Sequence, residues 1–410
     1  MSKPPSNITA ALSQVKQDTP IYLVGLGHGA THWVIATFYF LLPFMARDLG
    51  LSYVEAGLFA SIFSVASFGA NFISGPVVDM TGRRVLWQVV SLLIGAVAIF
   101  LMGNASLFFV LVICMVFIGA SNNLWHPAAI SYLSIRYPER RGFVLSIHAL
   151  GANLGDAVAP VVMAPVLAAL SWRTTMEASV VVPLVVVVLL LCFVGRTGRK
   201  GAKVDAHDAA PSIGLKDYLS GVGALLKNRA VMVLCCMSGF RNMAQMGLLV
   251  FLPLYLANEM ELPPFQMALA LFAFQASGLI AAPLAGIWSD KVGRRPLIVG
   301  GLGLTTVMLL LITLIDNPTV FVAGISVLGF GLFAIRPVVH SWLMDMTPPH
   351  MGGTATSVLF GVQSAMTVFA PIIGGALADR YGLISAFYFL GVALLIANFL
   401  VLLIPKKVSG

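Results

Sequence analysis

The sequence predicts an all-α polytopic membrane protein, with twelve transmembrane helices set out as two parallel repeats of six. Three observations predict it: too few charges for a water-facing surface, a succession of apolar runs of spanning length, and landmarks that recur at a nearly constant offset. Of 410 residues, 59% are hydrophobic and 10% charged, against roughly 25% charged in an ordinary soluble domain. Such a surface needs lipid as part of its solvent. A spanning helix takes about 20 apolar residues, and twelve of them with short turns use most of this chain.

Taken in order, the apolar runs fall at 20–46, 54–78, 85–104, 107–134, 143–170 and 173–194, then at 230–257, 265–288, 296–315, 319–345, 353–378 and 382–405. They divide the chain into a first six-helix half (1–194), a polar linker (195–229) and a second half (230–410). The linker carries Arg196, Arg199, Lys200, Lys203, Asp205, His207, Asp208 and Pro211. A surface helix is expected in it at about Leu215 to Leu226. The first twenty residues are polar, with Pro4, Pro5, Lys16 and Asp18, so the first helix is expected to act as its own insertion signal. Cys114, Cys192, Cys235 and Cys236 sit inside apolar runs without metal-ligand spacing, which reads as packing.

Basic residues set the orientation. With a cytoplasmic N-terminus, Lys3, Lys16, Arg83, Arg84, Arg136, Arg140, Arg141, the basic residues from Arg196 to Arg229, Lys291, Arg294, Arg295, Lys406 and Lys407 all face the cytoplasm. Of the 24 Lys and Arg residues, only Arg47, Arg173 and Arg380 face outward, while Arg241 and Arg336 lie within helices. Both termini are therefore expected in the cytoplasm of a cell whose inner membrane holds the chain. The net charge of +8 belongs to the ends of apolar runs, which argues against nucleic acid as a partner.

The halves repeat. Leu42-Pro43 matches Leu252-Pro253, Gly75-Pro-Val-Val-Asp79-Met-Thr-Gly82-Arg83-Arg84 matches Gly286-Ile-Trp-Ser-Asp290-Lys-Val-Gly293-Arg294-Arg295, and His126-Pro127 matches Arg336-Pro337. A parallel repeat of this kind marks two transporter halves about an axis along the membrane normal. In the decapeptide, one glycine allows close helix approach, the next a tight turn, and the Asp and arginines are placed to pair at the membrane edge.

That decapeptide resembles the signature loop of the major facilitator superfamily, and the resemblance covers the whole chain. It implies a twelve-helix fold, a rocking alternating-access cycle, and a cavity lined by helices one, four, seven and ten. It also implies a gating role for Asp79, Arg83, Arg84, Asp290, Arg294 and Arg295. Met80 stands where that family usually has a basic residue. Trp125-His126-Pro127-Ala128, Gly142-Phe-Val-Leu-Ser146 and Gly151-Ala-Asn153-Leu-Gly155-Asp156-Ala-Val-Ala-Pro160 look like the fosmidomycin-resistance branch. That branch often has a His followed by an Asn-Asp pair in helix one, where this chain has His28-Gly-Ala-Thr31-His32.

Polar residues at bilayer depth are expensive and functional by default. They concentrate as His28 and His32 in helix one, Asn122, Asn123 and His126 in helix four, Arg241, Asn242 and Gln245 in helix seven, and Arg336 and His340 in helix ten. The pairs His28/His32, Asn122/His126, Arg241/Gln245 and Arg336/His340 have a spacing of four, so each faces one way. At about 1.5 Å per residue, Arg241 lies roughly 16 Å into its helix, near the bilayer middle. Arginine suits carboxylate, phosphate or phosphonate, so these ten residues are the expected substrate site. The structural alternatives are that Arg241 pairs with Asp156 and that Arg336 caps carbonyls freed by Pro337. Asp156 and His32 are the expected proton-coupling groups, although Asp156 serves equally well as a fixed counter-ion. His148 is read as interfacial. Asp345 is expected to join the gating charges with Arg294 or Arg295. Glycines at 151 and 155 with Pro160 loosely resemble the motif of proton-driven exporters.

The expectation is a secondary transporter acting as a monomer, with no cofactor and no metal, and not an enzyme. It moves a small organic anion or drug-like compound, by proton-coupled efflux. The alternatives are a proton-coupled importer of a carboxylate nutrient, and a non-transporting receptor or assembly factor of the same fold. No phosphate-binding loop, nucleophile arrangement or zinc spacing is present in the sequence.

Overall fold

The computed structural model describes residues 7–194, 215–348 and 351–404, without side-chain detail at a few of them. Among these are twelve helices long and apolar enough to cross a membrane. The first six are Asp18–Leu49, Tyr53–Ala70, Arg84–Asn104, Phe108–Arg136, Pro138–Ala169 and Trp172–Val194. The second six are Arg229–Asn258, Pro264–Val292, Arg294–Ile312, Pro318–Asp345, Thr354–Tyr381 and Ile384–Leu402. They are called spans one to twelve below. The expected surface helix is present as Leu215–Lys227. Most of the expected linker, 195–214, lies outside the described residues.

Two spans are interrupted, and proline accounts for the place. Span six runs as Trp172–Ser179 and Val181–Leu189, then closes in a π-turn over Leu190–Val194. Pro183 has no N–H to give to the Ser179 carbonyl. Trp33 Nε1 donates to that oxygen instead, at 3.1 Å. Span eleven breaks between Gly352–Thr367 and Phe369–Tyr381, where Pro371 likewise leaves the Thr367 carbonyl without its helical donor.

Contacts group the chain into two compact units that do not follow the repeat halves 1–194 and 230–410. The first unit contains 1–38, 66–159 and 173–203, and the second contains 39–65, 160–172 and 204–410. The first unit packs Ile21, Val24, Val89, Leu92, Trp125, Ala129, Leu133 and Val187 into one buried core.

The second unit holds residues 39–65 through a seam between the start of span two and the second part of span eleven. Asp379 accepts from Tyr53 N at 2.7 Å and from Val54 N at 3.0 Å, capping the helix that begins there. One turn on, a Cβ at Gly57 would overlap the Pro371 carbonyl, and one at Gly375 would lie 2.5 Å from Tyr53 O. A further turn on, Ser61 Oγ donates to Val368 O at 2.6 Å.

Removing the double cap with Asp379→Ala is expected to cost about 1 kcal/mol, read as a lower unfolding midpoint of the detergent-solubilised protein. Arg380→Ala at the next position, which makes none of these bonds, is expected to leave that midpoint unchanged.

Candidate functional site in the membrane interior

Spans one and five meet at glycines. A Cβ on Gly151 would overlap the Gly25 carbonyl oxygen, one on Gly155 would overlap that of Gly29, and one on Gly29 would lie 2.9 Å from Gly151 O. With no side chains between them, the two backbones come into contact. The residues one helical step away are thereby brought face to face.

Those residues are imidazoles and a carboxylate. His28 stacks on His148 with centroids 3.8 Å apart and planes 15° from parallel. Its Nδ1 donates to the His148 carbonyl at 2.7 Å. His32, one turn on, places Nδ1 3.0 Å from Asp156 Oδ2. His126 from span four stands edge-on to His28 at 4.9 Å and donates from Nδ1 to Asn122 O at 2.9 Å. His32 is also edge-on to His28, at 4.9 Å. Trp125 Nε1 donates to His148 Nε2 at 3.1 Å. Five titratable groups from three spans thus form one cluster in the first unit.

His148 was expected at the interface and is instead buried in this cluster, with 5% of its surface exposed. The reason is the seam: His148 lies one turn before Ala152 and two before Asp156, on the face that the glycines press against span one. Asp156 pairs with His32 within the first unit.

In the second unit, Arg241 is fully buried, with 2% exposure. Its Nε and Nη2 donate to Leu332 O at 3.2 and 2.6 Å, and Nη1 donates to Asn242 Oδ1 at 3.2 Å. Three of the five guanidinium N–H groups are therefore committed to neutral oxygens. Asn242 Nδ2 reaches Thr367 Oγ1 at 3.5 Å, and Gln363 Nε2 donates to Ser238 Oγ at 2.5 Å. On span ten, Arg336 has an exposed side chain, and His340, half-buried one turn on, lies 5.4 Å from the Phe360 ring. Gln245 and Asn123 are half-buried.

The charged turns differ between copies. Arg294 bonds Asp290, Ser289 and, from Nε at 3.1 Å, Asp345. Arg295 Nη2 donates to Leu402 O at 2.7 Å. In the first copy Arg84 Nε donates to Ser131 Oγ at 3.1 Å, while Asp79 and Arg83 are exposed. A third occurrence of the spacing went unread in the sequence. Gly375-Ala-Leu-Ala-Asp379-Arg-Tyr-Gly382 repeats Gly-x-x-x-Asp-x-x-Gly, and its last glycine has φ +85°, beside +63° at Gly82 and +92° at Gly293. Gly25 and Gly29 were also missed, although they mirror the spacing of Gly151 and Gly155.

Twelve apolar helices, a glycine-packed polar interior and charged turns define a secondary-transporter architecture. The sequence profile of the Major Facilitator Superfamily matches residues 24–277 and 234–410. The chain belongs to that superfamily. It is 21% identical to the phosphoglycerate transporter protein of Salmonella typhimurium, over 94% of this chain and 88% of the relative. It is 25% identical to the multidrug resistance protein MdtG of Proteus mirabilis, over 90% of this chain and 91% of the relative. A bacterial homologue of the human lysosomal transporter Spinster, solved inward-facing and unoccupied, superposes with a TM-score of 0.81 at 15% identity, covering 98% of both chains. The superposition bears on the fold alone.

Gly155→Ala adds one methyl where the Gly29 backbone lies. It is expected to cost about 1–3 kcal/mol of stability and to lower transport more than stability, because the imidazoles move with the seam. Gly142→Ala, whose Cβ would meet nothing within 4 Å, is the control. Unfolding midpoints and initial transport rates of the two variants, measured side by side, check this.

Proposed function

We propose that this chain is a proton-coupled secondary transporter of a small organic anion, working by alternating access as a monomer in the inner membrane with both termini cytoplasmic. The observation that carries the reading is Arg241. It is a full positive charge at bilayer depth whose partners are a backbone carbonyl and an amide oxygen. A charge held there without a carboxylate is costly unless an anion completes the site. Arg336, exposed on span ten, supplies the second guanidinium. The name of the phosphoglycerate relative agrees with an anionic cargo, and that of the multidrug relative extends the class to drug-like compounds. His32 and Asp156 form the proton-coupling pair.

Export is the direction suggested by the glycine and proline pattern of span five and by the resemblance of Trp125–Ala128 to the fosmidomycin-resistance branch. A second reading is uptake of a carboxylate with a proton. It is favoured because Gly151 and Gly155 are accounted for by packing against span one, so they lend little to an exporter's motif.

Thermal unfolding of the purified protein against organic acids, phosphonates and cationic drugs tests the anion reading, since a ligand of the folded state raises the midpoint by mass action. Organic acids or phosphonates are expected to stabilise it. Arg336→Ala is expected to weaken the effect about tenfold to a hundredfold in concentration, the size of a lost hydrogen bond to a charged group. Stabilisation by cations alone would overturn the reading.

A further inference from the structure

The hydrogen bonds of the histidine cluster decide which ring nitrogens carry protons. A carbonyl oxygen only accepts, so Nδ1 of His28 and Nδ1 of His126 are both protonated. An indole N–H only donates, so Nε2 of His148, 3.1 Å from Trp125 Nε1, carries a lone pair and no proton. While that bond stands, His148 is a neutral imidazole with its proton on Nδ1. Trp125 is wholly buried, packed over Gly27, where any side chain would strike its ring. The donor therefore cannot swing aside, and His148 is fixed in one uncharged form.

His28 is placed differently. It is 95% buried, and its Nε2 has no hydrogen-bond partner among the described residues. A buried acceptor left alone is costly, and in a native site it calls for an occupant. The titratable groups that face it are His32 on its own span, His126 on span four and His148 on span five, with Asp156 behind His32. Two of these rings, His32 and His126, are partly exposed. The third, stacked flat on His28, is the one that Trp125 keeps uncharged. A protonated ring stacked on a neutral one is attracted to its π-face, whereas two stacked imidazolium rings would repel.

We propose that Nε2 of His28 is a proton-binding site of the transport cycle, and that Trp125 and His148 are positioning residues that keep its stacked neighbour uncharged. The step balances: an O–H bond of a hydronium ion breaks, its proton forms an N–H bond with the Nε2 lone pair, and the positive charge passes to the ring as water is left. Release returns the lone pair. His32, paired to Asp156, and His126 flank the site on the exposed side, where a proton enters. The proposal deepens the proton-coupling reading above and rests on it for its role in transport.

The test is nitrogen-15 NMR of the unmodified protein, labelled at histidine in a nanodisc, titrated from about pH 5 to 8, where imidazoles exchange protons. Signals are assigned with His28→Gln and His148→Gln. His28 is expected to pass from one protonated nitrogen to two as the pH falls, while His148 keeps one bare Nε2 throughout. Trp125→Phe is expected to release His148 to titrate and to shift the midpoint of the pH dependence of transport. Substrate binding by thermal shift is expected to stay the same. A titrating His148, or a His28 that never gains its second proton, overturns the proposal even if that tryptophan variant fails to fold. A His28 that titrates in a protein whose transport moves no protons would instead overturn the coupling reading, and with it the assigned role. Occupation of Nε2 by a substrate hydroxyl or ammonium would show as a substrate-dependent, pH-independent shift, and that too overturns it.

Discussion

Two pairs of glycines, Gly25 with Gly151 and Gly29 with Gly155, bring the backbones of spans one and five into contact. The histidine cluster of the first unit depends on that approach. Lipid offers no hydrophobic push between helices, so small residues and interhelical hydrogen bonds must supply the association. Here they do both at once. The missing side chains set the distance, and the imidazole-to-carbonyl bond from His28 to residue 148 closes across it. The cluster is placed by packing, and packing is what keeps five titratable groups at a depth where an isolated one would be expensive.

The same small-residue logic runs through the charged turns. Gly75 and Gly286, which open the two copies of the signature, have nothing within 4 Å of a would-be Cβ, while Gly375 in the third copy lies hard against Tyr53 and Val54. One sequence pattern thus occurs in two packing states. In the packed one, its aspartate caps a neighbouring helix. In one of the unpacked copies, Asp290 instead holds the arginine of its own turn.

Much of this was legible beforehand, and the reasons are physical. Span number and limits follow from the length that hydrocarbon demands, so charges and polar turns mark most ends within a few residues. The polar pairs at spacing four were legible because helical geometry is fixed. What the sequence hid was pairing between spans. Asp156 reads in the sequence as a proton carrier or as a counter-ion to Arg241, and the glycine seam is what brings it to His32. His148 lies only two turns from the charged Arg141, and the glycine seam, which carries no local signal at position 148, is what buries it. Arg241 was legible as buried and cationic, but its three bonds to neutral oxygens required the carbonyl of Leu332, which carries no sequence signal. Asp379 was overlooked because its motif lies after an odd-numbered span.

The central claim is that the protein moves protons with an organic anion. The most direct measurement is proton flux into sealed proteoliposomes, followed by a trapped pH-sensitive dye while an anion gradient is imposed across the membrane. The account predicts a pH change inside the vesicles that depends on the anion and vanishes in Asp156→Asn, with the protein still folded. Anion movement with no accompanying pH change, in vesicles that hold an imposed pH gradient, would contradict it.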